Sequence, residues 1–83
     1  MTEELLIAAG FIKQEANHSE TGNGYDYYYY ILEVTEGITL ISSDSDKVIN
    51  DLWKVKSFDI PKLYIEHFHD LVEFINAVKK VLK

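Results

Sequence analysis

The chain has 83 residues and a formal net charge of −6, and 47% of its residues are hydrophobic. This composition indicates one globular domain spanning residues 1–83 and excludes intrinsic disorder. Because the sequence has no cysteine, it excludes disulfides and zinc–cysteine sites and favours a cytoplasmic location. The N-terminus has no signal-peptide pattern and no apolar run approaches the roughly 20 residues of a membrane span, so we expect no membrane partner.

Charge is unevenly distributed along the chain. Residues 1–51 contain ten acidic residues and two lysines, a net charge of −8, whereas residues 52–83 contain four acidic residues and six lysines, a net charge of +2. Arginine, the side chain best suited to phosphates and guanine edges, is absent from the sequence. The acidic balance and the missing arginine argue against nucleic acid as a partner.

The first part of the chain predicts a short helix and two strands. Residues 2–4 supply an N-cap and two acidic residues before an apolar run, and Gly10 ends that helix. Residues 11–16 predict a strand, and residues 18–24 predict a mobile loop rich in turn-forming residues. The next stretch, YDYYYYILEV at residues 25–34, holds five of the six tyrosines and predicts a second strand.

The rest of the chain predicts a hairpin, further strands and a long helix. A turn at Gly37 leads into a third strand at residues 38–42, residues 52–58 alternate like a strand, and residues 63–65 suit a short edge strand. Residues 67–82 repeat apolar side chains at three- and four-residue steps, as an amphipathic helix does. We therefore predict an α+β fold in which an antiparallel meander of three to five strands carries helices on one face. The predicted core is Ile7, Tyr30, Leu32, Trp53, Val55, Phe68, Leu71, Ile75 and Val78.

Strand alternation divides the tyrosine-rich stretch into two sets of side chains. One set ends in Leu32 and Val34, whereas the other ends in Glu33, a carboxylate that must be solvated. We expect the first set, with Tyr28 and Tyr30, to lie under the helices. The outward set, with one residue of the neighbouring strand, forms the predicted protein interface: Tyr25, Tyr27, Tyr29, Ile31 and Ile41.

Three short motifs resemble known sites but lack the residues that would complete them. His67 and His69 fall at a predicted helix start, where residues two apart diverge by about 200°. The acidic turn at residues 44–46 lacks the glycine and glutamate of a calcium loop, and GNG at residues 22–24 precedes a strand instead of a helix. We therefore predict no catalytic residue, no metal, no cofactor and no enzymatic activity.

Four segments occur in order along the chain: AAGF at residues 8–11, the tyrosine-rich strand, LIS at residues 40–42 and WKVKSFD at residues 53–59, followed by the terminal helix. This pattern resembles small proteins encoded by bacterial phages and mobile elements. The resemblance implies no site and no activity. It implies roles frequent among such proteins, namely binding and blocking a host protein or assembling with copies of themselves.

These observations lead to one functional hypothesis and two alternatives. We expect a non-catalytic protein-binding module, an inhibitor or modulator of a host protein that acts by occlusion. The first alternative is a structural homo-oligomer, such as a homodimer, that self-associates through the tyrosine-rich face. The second is a small enzyme or ligand carrier built from His18, His67 and the acidic loop at residues 44–46.

Overall fold

A computed structural model describes residues 1–16, 26–60 and 62–81 of the chain. The elements in chain order are α1 (Glu3–Ala8), β1 (Ile12–Ala16), β2 (Tyr27–Thr35), β3 (Ile38–Ser42), a 3-10 helix (Ser45–Lys47), β4 (Val55–Ser57), β5 (Tyr64–Ile65) and α2 (Phe68–Val81). The five strands form one antiparallel sheet in the order β1-β2-β3-β4-β5. The predicted α+β fold is confirmed, while the predicted loop at residues 18–24 lies outside the described residues.

Helix α1 begins and ends where the sequence predicts, but it buries a different residue. The Thr2 hydroxyl accepts a hydrogen bond from the Leu5 amide at 3.4 Å, and Gly10 leaves the helix in left-handed backbone with φ +103°. The prediction that Ile7 lies in the core is wrong, because Leu6 is fully buried and Ile7 is 55% exposed. Consecutive helical residues point about 100° apart, so only one of these two side chains can face the sheet.

The predicted hairpin between β2 and β3 turns at a glycine. Gly37 adopts φ +91°, a backbone conformation that side chains disfavour. The register of the two strands shifts between Glu33 and Thr35, so this end of the hairpin is irregular. From Glu33 back to Ile31 the pairing with β3 is regular.

The ladder between β2 and β3 ends at the pair Ile31–Ile41. Beyond it, two serine side chains bond the backbone of β2. The Ser42 hydroxyl accepts a hydrogen bond from the Tyr30 amide at 2.8 Å, and the Ser45 hydroxyl accepts one from the Tyr28 amide at 2.9 Å. An amide buried without a partner would cost free energy. The last residue of β3 and the first residue of the 3-10 helix therefore hold the tyrosine end of β2 in place.

Strand β4 is shorter than the strand predicted at residues 52–58, because a tight turn precedes it. Asn50 and Asp51 have positive φ angles of 56° and 55°, and Ile49 and Leu52 form an isolated bridge on either side of them. The ladder with β3 begins only after this turn, which leaves a strand of three residues.

Both helices lie on one face of the sheet and enclose the core against it. The buried hydrophobic residues are Leu6, Phe11, Tyr30, Leu40, Trp53, Val55, Ile65, Leu71 and Ile75. Five of them belong to the predicted core, and Leu32 and Phe68 pack against the cluster with partial exposure. Val78 is half-buried at the edge of this layer. No helix in the described part of the chain is long and apolar enough to cross a membrane.

Candidate functional site

The sheet has one face that neither helix covers, which we call the open face. On the opposite face Tyr28, Tyr30 and Leu32 of β2 contact the core cluster, together with Leu40 of β3. Successive strand residues point to opposite faces, so the intervening positions belong to the open face. Paired residues of antiparallel strands share a face, and the register therefore traces rows of side chains across it.

One row of open-face side chains crosses all five strands, and we call it the cross-sheet row. Its members are Ile12, Ile31, Ile41, Lys56 and Tyr64. At its two ends Ile12 is 64% exposed and Tyr64 is 55% exposed, whereas the two central isoleucines are half-buried between their neighbours. The row gives the open face a continuous apolar strip that ends in a lysine and a tyrosine.

Two tyrosines extend this apolar surface along β2. The ring centres of Tyr27 and Tyr29 are 6.4 Å apart, with their planes inclined by 40°, and both residues are half-buried. Their partners in β1 are Ala16 and Gln14. The sequence predicts an interface of Tyr25, Tyr27, Tyr29, Ile31 and Ile41; Tyr25 lies outside the described residues, and the other four lie on the open face. That they bind a partner stays a prediction.

The other tyrosines of β2 fasten α1 to the covered face. The carboxylate of Glu3 accepts hydrogen bonds from the hydroxyls of Tyr30 and, at 3.4 Å, Tyr28. The Trp53 ring centre lies 5.5 Å from that of Tyr30 and 5.9 Å from that of Tyr28. Burial, and then Glu3, raises the pKa of both hydroxyls. This cluster packs on the covered face of β2, on the side of the sheet opposite the open face.

A groove of about 280 Å³ lies at the β4–β5 end of the open face, and we call it the lysine groove. Three lysines and one acidic residue line it, together with Ser43 and Tyr64: Lys47, Lys54, Lys56 and Asp44. The Lys54 ammonium lies 5.6 Å from the centre of the Tyr64 ring, and the neighbouring Tyr64, followed by Glu66, raises the pKa of Lys54. The groove therefore combines positive charge with hydroxyl groups at the edge of an apolar strip.

Three apolar residues are strongly exposed although the sequence did not predict a surface role for them. Ile49 is 72% exposed, Leu52 59% and Phe58 67%. The prediction of a regular strand at residues 52–58 gave the last two no special role. The Asn-Asp pair between Ile49 and Leu52 was the available signal, because both residue types tolerate left-handed backbone and favour tight turns.

The histidines of the predicted HxH motif lie at the start of α2. His67 precedes the helix, and His69 Nε2 lies 3.0 Å from Glu73 Oε1 one turn along it. Within residues 1–16, 26–60 and 62–81, no group of three or more histidine or acidic side chains is placed to hold a metal ion. His18 lies outside these ranges, and the expectation of no metal site stays a prediction.

Comparison with known proteins finds no relative of this chain. No protein-family model, no curated protein and no solved structure matches it. The resemblance to phage and mobile-element proteins therefore stays a prediction.

Proposed function

We propose that this protein is a small non-catalytic protein-binding module that uses the open face as its interface. The observation that carries the proposal is the cross-sheet row, because its apolar members lie on the face that neither helix covers. Large exposed apolar patches on a small domain are typical of interaction surfaces. The module acts by occlusion, as an inhibitor or modulator that covers a surface of its partner.

The chemistry of the face suits a protein partner. Tyr27 and Tyr29 present rings half-buried by their neighbours, and tyrosine combines a large apolar ring with a polar tip and few torsions to freeze on binding. Ile31 lies two residues from Tyr29 on the same face of β2, and it pairs with Ile41 of β3. Aromatic anchors next to an aliphatic centre resemble the composition of known interface cores.

The backbone of β2 is fixed by packing and hydrogen bonds on the covered side of the sheet, which reduces the conformational entropy lost when the open face binds a partner. Tyr30 is 3% exposed and packs edge-on against Trp53 beneath the sheet. The Ser42 and Ser45 hydroxyls hold the backbone of β2 at the tyrosines. We place the module in the cytoplasm, because a chain without cysteine suits a reducing compartment.

A second candidate is a structural homo-oligomer, which the continuity of the cross-sheet row favours. Two sheets can pack face to face about 10 Å apart when each presents an apolar face. In such a homodimer, Ile31 and Ile41 of two copies would form the centre. Light scattering over a range of concentrations separates the candidates, since a monomer at every concentration contradicts self-assembly.

The binding proposal is tested by capture from a lysate with matched variants. Immobilised wild-type protein, Tyr29→Ala, Ile12→Ser and Ile7→Ser are compared. Ile12 and Ile7 are both exposed, at 64% and 55%, but only Ile12 lies on the open face. A specific partner should be lost with Tyr29→Ala and Ile12→Ser and retained with Ile7→Ser. Retention by both open-face variants would contradict the proposal.

A further inference from the structure

The lysine groove gathers positive charge in an acidic protein. Three of the eight lysines, Lys47, Lys54 and Lys56, line this single groove of a chain whose net charge is −6. They come from separate segments: one from the 3-10 helix and two from the region of β4. The fold, and not a run of basic sequence, therefore creates this local concentration of charge.

The charges in the groove are available to a ligand. Lys56 forms no ion pair with any described residue. Lys47 Nζ lies 3.8 Å from the carboxylate of Asp44, and Lys54 Nζ lies 3.8 Å from that of Glu66. Ion pairs this long and this exposed contribute little to stability. A carboxylate from a partner can replace either internal partner at small cost.

An apolar shelf adjoins the lysine groove. A second cavity of about 310 Å³ shares Lys47, Lys54 and Tyr64 with the groove and adds Ile49 and Leu52 to its lining. These two aliphatic side chains are 72% and 59% exposed. A ligand that reaches both cavities meets lysines in one and aliphatic side chains in the other.

The turn that carries the shelf is anchored to the core. Asn50 and Asp51 hold its left-handed backbone, and the Asp51 carboxylate accepts a hydrogen bond from the Trp53 indole at 2.9 Å. Trp53 is 3% exposed. A buried tryptophan thus fixes the position of the two exposed aliphatic residues, and the shelf is formed before any partner arrives.

We propose that the lysine groove and its shelf bind an acidic segment of the partner protein, with carboxylates on Lys54 and Lys56 and apolar side chains on Ile49 and Leu52. The inference rests on the proposed function and adds the chemistry of the partner. Positive charge on an otherwise acidic chain selects an acidic segment over a basic one, and the aliphatic shelf supplies contacts that carboxylates alone would not use.

A protein segment fits this region better than a nucleic acid does. Single-stranded nucleic acid binds through aromatic rings that stack on its bases and a basic groove that follows its backbone. The shelf offers the aliphatic side chains of Ile49 and Leu52 and, among its lining residues, one aromatic ring, that of Tyr64, so successive bases would find no row of rings to stack on. A short acidic segment needs only a few charge contacts, whereas a polyanion would extend into the surrounding acidic surface.

The experiment titrates isotope-labelled full-length protein with three probes and follows backbone amide chemical shifts by NMR. The probes are a capped octapeptide of aspartates and leucines, the same peptide with lysines in place of aspartates, and an oligothymidylate. We expect the aspartate peptide to shift the amides of Ser43, Lys54 and Lys56, and the shifts to weaken with added salt.

Paired variants show whether the lysines carry this binding. Lys54→Gln combined with Lys56→Gln should weaken the aspartate peptide about tenfold, a loss that exposed charge contacts can supply. The matched control, Lys79→Gln with Lys80→Gln at the end of α2, should leave it unchanged. Glu66→Gln, which releases Lys54 from its ion pair, should strengthen binding.

Several outcomes would overturn the inference. Failure of the aspartate peptide to shift the groove, equal binding of the lysine peptide, or stronger binding of the oligothymidylate at the groove would each do so. None of these outcomes bears on the proposed function, which is tested separately by whether Tyr29→Ala and Ile12→Ser lose the partner captured from a lysate. Retention of the captured partner by both Tyr29→Ala and Ile12→Ser, together with intact peptide binding, would leave the groove standing without the wider interface.

Discussion

Neighbouring tyrosines of β2 occupy two different environments in one strand. Tyr30 is 3% exposed, donates a hydrogen bond to Glu3 and packs against Trp53. Tyr27 and Tyr29 lie ring beside ring on the open face and remain half-buried. Since the side chains are identical, the difference arises only from which elements cover each face of the sheet.

This contrast separates stability from recognition within one segment. A ring under the helices contributes apolar burial to the fold, while a ring on the open face keeps part of that surface for a partner. Four predictions, taken from the largest expected effect to the smallest, test how complete the separation is.

The largest effect is expected at the centre of the covered face. Tyr30→Ala removes a buried ring that contacts Trp53 and Glu3, and it should lower the free energy of unfolding by about 3–5 kcal/mol, as large aromatic truncations in a core do. Chemical denaturation measures the loss. Tyr28 is only half-buried, so Tyr28→Ala should cost less, and an equal cost would show that the partial exposure of Tyr28 does not lessen its contribution to stability.

A comparable loss is expected on the helix that covers this face. Ile75 lies in the core cluster at 9% exposure, and Ile75→Ala should cost about 2–5 kcal/mol, the usual range for a truncated buried aliphatic residue. Asn76→Ala, at the next and exposed position of α2, is the control and should change little. A cost near zero for Ile75→Ala would mean that α2 is not docked against the sheet.

Alkaline pH should weaken the covered face selectively. Burial, and then the Glu3 carboxylate, raises the pKa of Tyr30 above the ordinary value of 10.0. The unfolded chain therefore loses this proton at a lower pH than the folded protein does. The associated stability is complete below about pH 10 and declines as the pH rises above it.

The matched variant for this pH dependence is Tyr30→Phe. At neutral pH it should be less stable than wild type by about 1–2 kcal/mol, because it removes a hydrogen bond to a carboxylate. Above about pH 10 its melting temperature should fall less steeply than that of the wild type, because the ionisable hydroxyl is gone. Parallel plots of melting temperature against pH would contradict a raised pKa of Tyr30 in the folded protein.

The smallest effect on stability is expected on the open face. Tyr27→Ala and Tyr29→Ala should each cost about 1 kcal/mol or less, since each ring gives up only partial burial and some strand propensity. Thermal melts beside Tyr30→Ala make the comparison direct. Equal losses at Tyr27, Tyr29 and Tyr30 would mean that both faces of β2 are covered, for example by a second copy of the chain.

The sequence identified the faces of β2 better than it identified the ends of the elements. Alternation in steps of two and the charged Glu33 sufficed to separate Tyr28 and Tyr30 from Tyr27 and Tyr29. The helical pattern did not distinguish Leu6 from Ile7, because two adjacent apolar residues in a six-residue helix satisfy that pattern equally well. Only the docking of α1 against the sheet selects between them.

The lysine groove was beyond the reach of sequence analysis for a different reason. Lys47 and Lys54 are separated in the chain by a turn whose left-handed residues, Asn50 and Asp51, were not recognised as a turn signal. Charge counted along the chain showed a basic second half but not where the lysines meet. Their convergence depends on the packing of the 3-10 helix against β2 and on the hydrogen bonds that join Ser43 to Lys54.

The sequence by itself determined the α+β class, the alternation of the tyrosines and the apolar stripe of α2, because these follow from the local periods of strands and helices. Tertiary structure alone decided the cross-sheet row, since alignment across strands depends on turns and on the register shift between Glu33 and Thr35. It also decided which of Leu6 and Ile7 stays in water, because only the docking of α1 against the sheet selects the residue that is buried.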